Sequence, residues 1–348
     1  MRPIALLAAV GLVAAAACSS ASPTPAPTAA PSQPAAAAPT AAAPPTTTPT
    51  PASVRYGIAA TSLNFLPARM AVEQGFYKQY GLDVEILQIA AGAQSAAQVA
   101  GELEYTTAYP PAIRIAANGA PLRIVSTLVG APLFVLLGRP EIASTADLRG
   151  KAIGITTRGG AQDLATRDIL TKLGYDPDTD VNILPAGAQT PLLVDALVNN
   201  RVQAAALSPP WHIRARDQGM RILASGPDLV KEPQNGLIVH EDRLTQQRDQ
   251  VRNMIQAEIQ AIRFIKENRA ATVAVSRDWL SISDAEADAS YDFVVSALVP
   301  DCAVDAEGIE AFMAAEKADG NIPADARLSQ VADLTVAPEA ARVVGVSR

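Results

Sequence analysis

Two histidines, two cysteines and 4% aromatic residues leave this 348-residue chain short of the side chains that most reactive sites use. His212 and His240 stand far apart, with no cysteine or acidic partner at ligand spacing, so no metal centre is expected. The chain has no GxxxxGK[ST] loop, no GxGxxG after its first strand, no GxSxG elbow and no HExxH helix. Phosphate-loop, dinucleotide, hydrolase and zinc-protease chemistry are thereby disfavoured, and neither a catalytic residue nor a cofactor is expected. Basic blocks are missing too: 28 Lys+Arg against 35 Asp+Glu give a net charge of −7, which makes nucleic acid an unexpected partner. Beyond the N-terminus there is no apolar run of about 18 residues, so the mature chain reads as soluble.

What the first residues do contain is an address. Arg2 is a one-charge start, and Ile4 to Ala17 is an apolar run of 14, suited to a signal-peptide core and short for a membrane span. The sequence Ala15-Ala16-Ala17-Cys18-Ser19 then resembles a bacterial lipoprotein signal, although Leu is commoner where Ala15 stands. That resemblance implies a signal peptide over 1–17 and a lipid on Cys18; an ordinary secretory signal with an incidental cysteine is the alternative. With Cys18 lipidated, Cys302 has no partner and no disulfide framework exists. Residues 18–52 are mostly Pro, Ala and Thr without a charge. Such a segment cannot offset the entropy of ordering and is expected to be an extended tether, reaching at most on the order of 100 Å. The expected location is extracytoplasmic, on a bacterial membrane facing the periplasm or the cell surface.

The folded body is organised around residues 150–174. Ala152 to Thr156 reads as a buried strand, Thr157 to Gly160 as a glycine loop, and the following residues as a helix carrying Leu164, Ile169, Leu170 and Leu173 before Gly174 stops it. At such a turn the free N–H groups of the helix start face the carboxyl edge of a sheet, where small polar or anionic ligands sit. One ordinary strand-to-helix unit among several is the alternative. Earlier in the chain, strands are predicted over 54–59, 84–88, 105–108 and 122–128, with a loop at Gly92, Ala93, Gln94 and Ser95 before a helix. Later come strands over 132–139, 181–184 and 202–207, then four helices over 251–266, 270–280, 285–298 and 306–317 that are expected to pack on the first half. Alternating strands and helices predict mostly parallel sheets. The grammar occurs twice, each half ending a short strand in a proline-containing loop with one aromatic, Tyr109 or Trp211. Two such lobes enclose a crevice, which is where ligands bind and hinges close.

Several stretches together carry a resemblance. Residues Ala71-Val72-Glu73-Gln74-Gly75-Phe76-Tyr77 through Gly81-Leu82-Asp83-Val84-Glu85, then Asp147-Leu148-Arg149-Gly150-Lys151, then Leu173-Gly174-Tyr175-Asp176-Pro177, resemble substrate-binding proteins of ABC importers in the nitrate, sulfonate, taurine and thiamine-pyrimidine precursor group. The resemblance implies an α/β periplasmic-binding-protein type II fold, two lobes with a central cleft and two crossover strands. It divides the body into lobe 1 over 53–135 plus 240–348 and lobe 2 over 136–239. A monomer that hands a small ligand to an ABC permease and its ATPase is implied, a task that a lipid anchor and tether suit. Ligand-contacting positions carried over are Thr61, Ser62, Leu63, Asn64, Gln94, Tyr109, Thr157, Gly159, Gly160, Ala161, Gln189, Ser208 and Trp211. Backbone N–H groups at Gly159, Gly160 and Ala161 with the Thr157 hydroxyl would then hold an acidic head group, and Arg158 is the one cation nearby. Phe65, Tyr109 and Trp211 leave room for a heteroaromatic ligand, although an aromatic at a strand end also plugs lobe cores. Asn64 and Gln189 serve either as orienting amides or as backbone caps. A ligand-binding partner of a membrane sensor, or an enzyme of pyrimidine synthesis on the same fold, are the alternatives; two cysteines disfavour the latter.

Overall fold

Strand β1 (Ala52–Ile58) lies parallel between β2 (Leu82–Gln88) and β3 (Tyr105–Ala108), in a computed structural model that describes residues 51–187, 189–230 and 233–346. The sheet continues through an antiparallel strand, β10 (Asn235–His240), to β4 (Leu122–Ile124). The second sheet repeats this plan. There β6 (Ala152–Ile155) lies parallel between β7 (Asn182–Pro185) and β8 (Ala204–Leu207). Antiparallel β5 (Val135–Gly138) then joins β8 to β9 (Arg221–Ser225). The orders β2-β1-β3-β10-β4 and β7-β6-β8-β5-β9 are therefore equivalent position by position. In each sheet the one antiparallel strand is the one the chain makes on arriving from the other sheet: β5 on the way out, β10 on the way back. These are the two crossover strands. The expected signal peptide, Cys18 and all but the end of the expected tether lie outside the described residues.

Parallel neighbours need crossover helices. The first sheet takes α1 (Leu66–Glu73), α2 (Phe76–Gln79), α3 (Ala91–Val99) and α4 (Tyr109–Ala117). The second takes α5 (Ala161–Lys172), α6 (Thr190–Val198), α7 (Trp211–Asp217) and α8 (Gly226–Leu229). After β10 come α9 (Glu241–Gln246), α10 (Arg248–Glu267), α11 (Arg269–Leu280), α12 (Asp284–Ala297), α13 (Ala306–Ala318), α14 (Leu328–Val331) and α15 (Val336–Val343). Among the described residues no helix is long and apolar enough to cross a membrane.

Each sheet is covered on both faces. On one face of the first, Val54, Tyr56 and Leu237 pack against Met254, Ile255 and Ile262 of α10 and Ala340 of α15; on the other, Ile113 and Ile238 meet Ile309 and Met313 of α13. Ile153 and Ile155 of the second sheet meet Ile169 and Leu170 of α5, while Leu137 and Leu207 meet Leu193 and Leu197 of α6. Fully burying one such side chain stabilises the fold by about 1.5–3 kcal/mol. The C-terminal helices thus pack on the first sheet as their apolar spacing predicts. Phe293 of α12 packs against the first sheet's core and also against the second sheet's.

Two expected boundaries move. A lobe division after residue 239 separates β10 from the sheet it belongs to: Val239 pairs with Tyr105 and Ile238 with Ile124. Five consecutive buried residues from Asn235 make β10 an interior strand, so the chain re-enters the first sheet at 235. Val135 already pairs with Leu207, placing the second sheet's start one residue earlier than 136. Inside β10, Gly236 is obligatory, because a Cβ there would stand 1.8 Å from the Ser126 carbonyl oxygen and 2.4 Å from the Tyr109 hydroxyl.

Candidate functional site

The carboxyl ends of β1 and β3, with the first residue of β10, form one wall. After β1, Ser62 caps a short 3₁₀ turn by accepting the Asn64 amide at 3.3 Å. Thr61 is exposed and donates to Gln88 Oε1 at 2.9 Å, while Leu63 points into the first core. Asn64 is half-buried, and its main-chain oxygen accepts Asn235 Nδ2 at 3.0 Å. The Oδ1 atoms of both asparagines are removed from solvent and have no partner. Burying an amide oxygen unpaired costs about 1–3 kcal/mol, so such atoms mark places where a further donor belongs.

Gln94, expected in a loop, lies inside α3, and its side chain is fully buried. Its oxygen accepts the amides of Thr107 and Ala108 at 3.0 and 3.2 Å, and its nitrogen donates to Ile89 at 2.9 Å. It therefore fixes the end of β3. Tyr109 is likewise not in a loop: it opens α4, with prolines in the first turn, where a missing N–H has no cost. Its hydroxyl is fully buried, donating to the Ser126 carbonyl and lying 3.2 Å from Thr127 Oγ1, and burial pushes its phenol well up. Of the two readings for this aromatic, the core plug describes its hydroxyl.

The opposite wall starts where β6 ends. Thr157, Gly159 and Ala161 are exposed, and Gly159 holds the left-handed conformation at φ 71° that permits the tight entry into α5. Its amide donates to Asp163 Oδ2 at 2.8 Å, and the Gly160 amide donates to the Thr157 oxygen at 3.3 Å. Asp163 is 3% exposed and pairs with Arg167 at 3.1 Å. Two of the three amides expected to cradle an anion are thus engaged within the chain, one by the chain's own carboxylate. The guanidinium of Arg158 donates to the Ile183 carbonyl at 2.7 Å. Ser208 is buried at the end of β8, and Trp211 is half-buried under the Arg214 guanidinium, 4.8 Å from its ring centre. Burial lowers the adjacent His212 to about 4, against a smaller upward pull from the Ser208 main chain, so this imidazole is neutral at physiological pH. Gln189 precedes α6, exposed and without a side-chain cap.

Among the described residues, the walls meet where α4 faces α5 and where α7 faces α12. Tyr109 and Pro110 of α4 share a small cavity with Ala161 and Leu164 of α5 and with Pro233 and Gln234, leaving about 20 Å³ for the centre of a water molecule. That is room for about one water. At the other place α7 rests on α12: Arg214 donates to Glu286 at 2.8 Å, and the His212 and Phe293 rings are 5.2 Å apart. The geometry thus joins Tyr109 with Ala161, and Asn64 with Asn235, while Gln94 and Leu63 lie in the first lobe's interior. Asn235, Asp163 and Glu286 were not singled out in the sequence. The local signals they carry are the NG pair that opens β10, the acidic first turn of α5 at Asp163 and the Ser283-x-x-Glu286 capping-box spacing.

A family model described as NMT1/THI5 like matches residues 62–271, more than half of the chain. The chain belongs to that family. A protein of Brachyspira hyodysenteriae described as an ABC transporter periplasmic binding protein is 31% identical over 123 residues, which is 35% of this chain and 34% of that protein. The match spans about a third of that relative's length. The periplasmic nitrate-binding protein NrtA from Synechocystis PCC 6803 superposes with a TM-score of 0.70 at 18% identity, covering 85% of this chain and 90% of that one. The alkanesulfonate-binding protein SsuA from Xanthomonas axonopodis pv. citri, bound to MOPS, gives a TM-score of 0.68 at 18% identity, covering 82% and 99%. At such identities the likeness is one of fold: the paired five-stranded sheets are the periplasmic-binding-protein architecture.

Proposed function

We propose that this family member is the extracytoplasmic solute-binding component of an ABC importer, and not an enzyme. It captures a small anionic or heteroaromatic solute, of the sulfonate, nitrate, carboxylate or pyrimidine kind, between its two lobes and delivers it to the permease and its ATPase. The observation that carries this reading is the equivalence of the two sheets, each completed by a strand the chain makes on arriving from the other, with residues after β3 and residues after β6 lining one small cavity. Open α/β sheets bind ligands beyond the carboxyl ends of their strands. Asn64 and Ser62 from one wall and Thr157, Ala161, Ser208 and Trp211 from the other are the proposed contacts. A lipid on Cys18 and the tether that follows would hold a monomeric body beside the membrane it serves. Relatives named for nitrate and alkanesulfonate binding support the choice of ligand classes.

Thermal denaturation against ethanesulfonate, nitrate, acetate and pyrimidine tests the reading. A ligand at 100 times its dissociation constant adds about 2.7 kcal/mol to stability. A melting temperature that no compound of these classes moves would count against it.

A further inference from the structure

Helix α5 enters the second lobe's core through Ala165, Ile169 and Leu170, and among the described residues Leu164 is in neither of that lobe's apolar clusters. It is half-buried, and with Ile113 of α4 and Ile309 and Phe312 of α13 it lines the small cavity where α4 faces α5. An apolar side chain turned from its own core gains only from the surface it faces. That cavity has room for about one water, so little else separates the two lobes there.

Helix α13 makes a firm seat for Leu164. Ile309 and Met313 lie in a core cluster of the first lobe, and Phe312 packs against it. Arg114 of α4 donates to both carboxylate oxygens of Glu316 at 2.6 and 2.8 Å, and Glu316 is 5% exposed. The same guanidinium lies 5.6 Å from the centre of the Phe312 ring. A bidentate pair of this kind fixes orientation as well as position. At the helix start a Cβ on Gly308 would stand 2.4 Å from Pro233 Cδ, so α13 also rests on the chain as it returns toward β10. The seat differs in kind from the contact of α7 with α12, where Arg214 and Glu286 form a partly solvated ion pair.

We propose that α13 is a latch for the second lobe: with no solute present, Leu164 seats against Ile113, Ile309 and Phe312 and holds the lobes closed, so that solute enters only when the seat releases. None of these four side chains needs to touch the solute. On the solute-binding reading above, the latch sets the fraction of molecules open to entry and thereby the apparent affinity for whatever solute is captured.

X-ray scattering of the ligand-free protein tests the latch without any solute, so its outcome is separate from that of the solute-binding reading. Leu164→Ala, Phe312→Ala and the double variant are compared with the parent; alanine favours both helices. Each single variant is expected to shift the closed-to-open ratio about tenfold toward open, read as a larger radius of gyration. The double variant should expand no further than the singles, because both remove the same contact. Leu164→Ala decides the matter, since its side chain lies outside its own lobe's core, and an unchanged far-UV circular dichroism spectrum separates opening from unfolding. A Leu164→Ala radius equal to the parent's, or an expansion confined to Phe312→Ala, overturns the latch while leaving a solute-binding protein.

Discussion

The amide of Gly159 donates to Asp163 Oδ2 at 2.8 Å, so the helix start best placed to receive an anion already carries one of the chain's own. A carboxylate in the first turn meets the positive end of the helix dipole and satisfies an amide that has no acceptor inside the helix. Asp163→Ala should therefore destabilise the protein by about 1–3 kcal/mol, and Asp163→Asn by less, because the acceptor is retained. With the carboxylate gone, sulfate should raise the melting temperature of Asp163→Ala more than that of the parent. Thermal melts in sulfate and in chloride read both effects, and equal salt responses would mean that this turn is not anion-filled.

Glu258 on α10 is fully buried, accepts the hydroxyls of Tyr56 and Tyr77 at 3.0 and 3.1 Å on one oxygen, and has no partner on the other. Burial raises it from 4.5 to about 8, only partly offset by the two tyrosines. Because the folded value lies above the unfolded one, its contribution to stability is complete below about pH 4.5 and is lost as the pH rises through about 8. Glu258→Gln keeps the acceptor and cannot ionise. Above pH 8 it should be more stable than the parent, by on the order of 3 kcal/mol. Urea unfolding from pH 5 to 9 measures this, and a variant no more stable than the parent at pH 8.5 would mean that burial does not raise the Glu258 carboxyl in the fold.

Arg214 of α7 and Glu286 of α12 join the second lobe to a helix of the first, and Arg214 holds the Glu286 carboxyl down at about 2. Glu286 also accepts the Ser283 amide and hydroxyl in a capping box. Glu286→Gln should cost less than about 1 kcal/mol of stability, since the pair is partly solvated. Its main effect should be on shape: X-ray scattering of the ligand-free variant is expected to show a larger radius of gyration as α7 leaves α12. An unchanged radius would mean that the pair is not a clasp between the lobes.

Gly236→Ala places a methyl group against the Ser126 carbonyl oxygen and the Tyr109 hydroxyl, both held in the interior. Neither can retreat without moving β10 or α4, so a loss of about 3 kcal/mol or more is expected in urea titration. A near-neutral result would require this strand to sit further from Ser126 than it does.

Strands β1 to β8 were readable as runs that stop at turn residues, and the parallel alternation of β1, β2, β3, β6, β7 and β8 with helices carried the fold class. β9 and β10 were not picked out, although each holds a short apolar run, Ile222 to Ala224 and Leu237 to Val239; neither fits the strand-then-helix alternation, since β10 is a crossover strand. The Gly92 to Ser95 stretch looked like a loop by composition. It is helical because Gln94 and Gln98 exchange hydrogen bonds with β3 and β10, a tertiary reward that local propensity does not contain. The candidate positions after β1 and β6 fall at strand ends as the sequence places them, whereas Gln94 and Tyr109 fall in helices, and the state of each group was not legible. Whether Gly159 has a free amide depends on a side chain four residues on, and whether Asn64 faces an acceptor partner depends on a residue 171 positions away.

The central claim is that the cleft holds a small solute unchanged. Native mass spectrometry of the protein incubated with ethanesulfonate, 2-aminoethanesulfonate, nitrate, pyrimidine or 4-aminopyrimidine tests it most directly. The account predicts a 1:1 complex with at least one compound, from which denaturation releases that compound intact. No complex with any of them, or release of a chemically altered product, would contradict it.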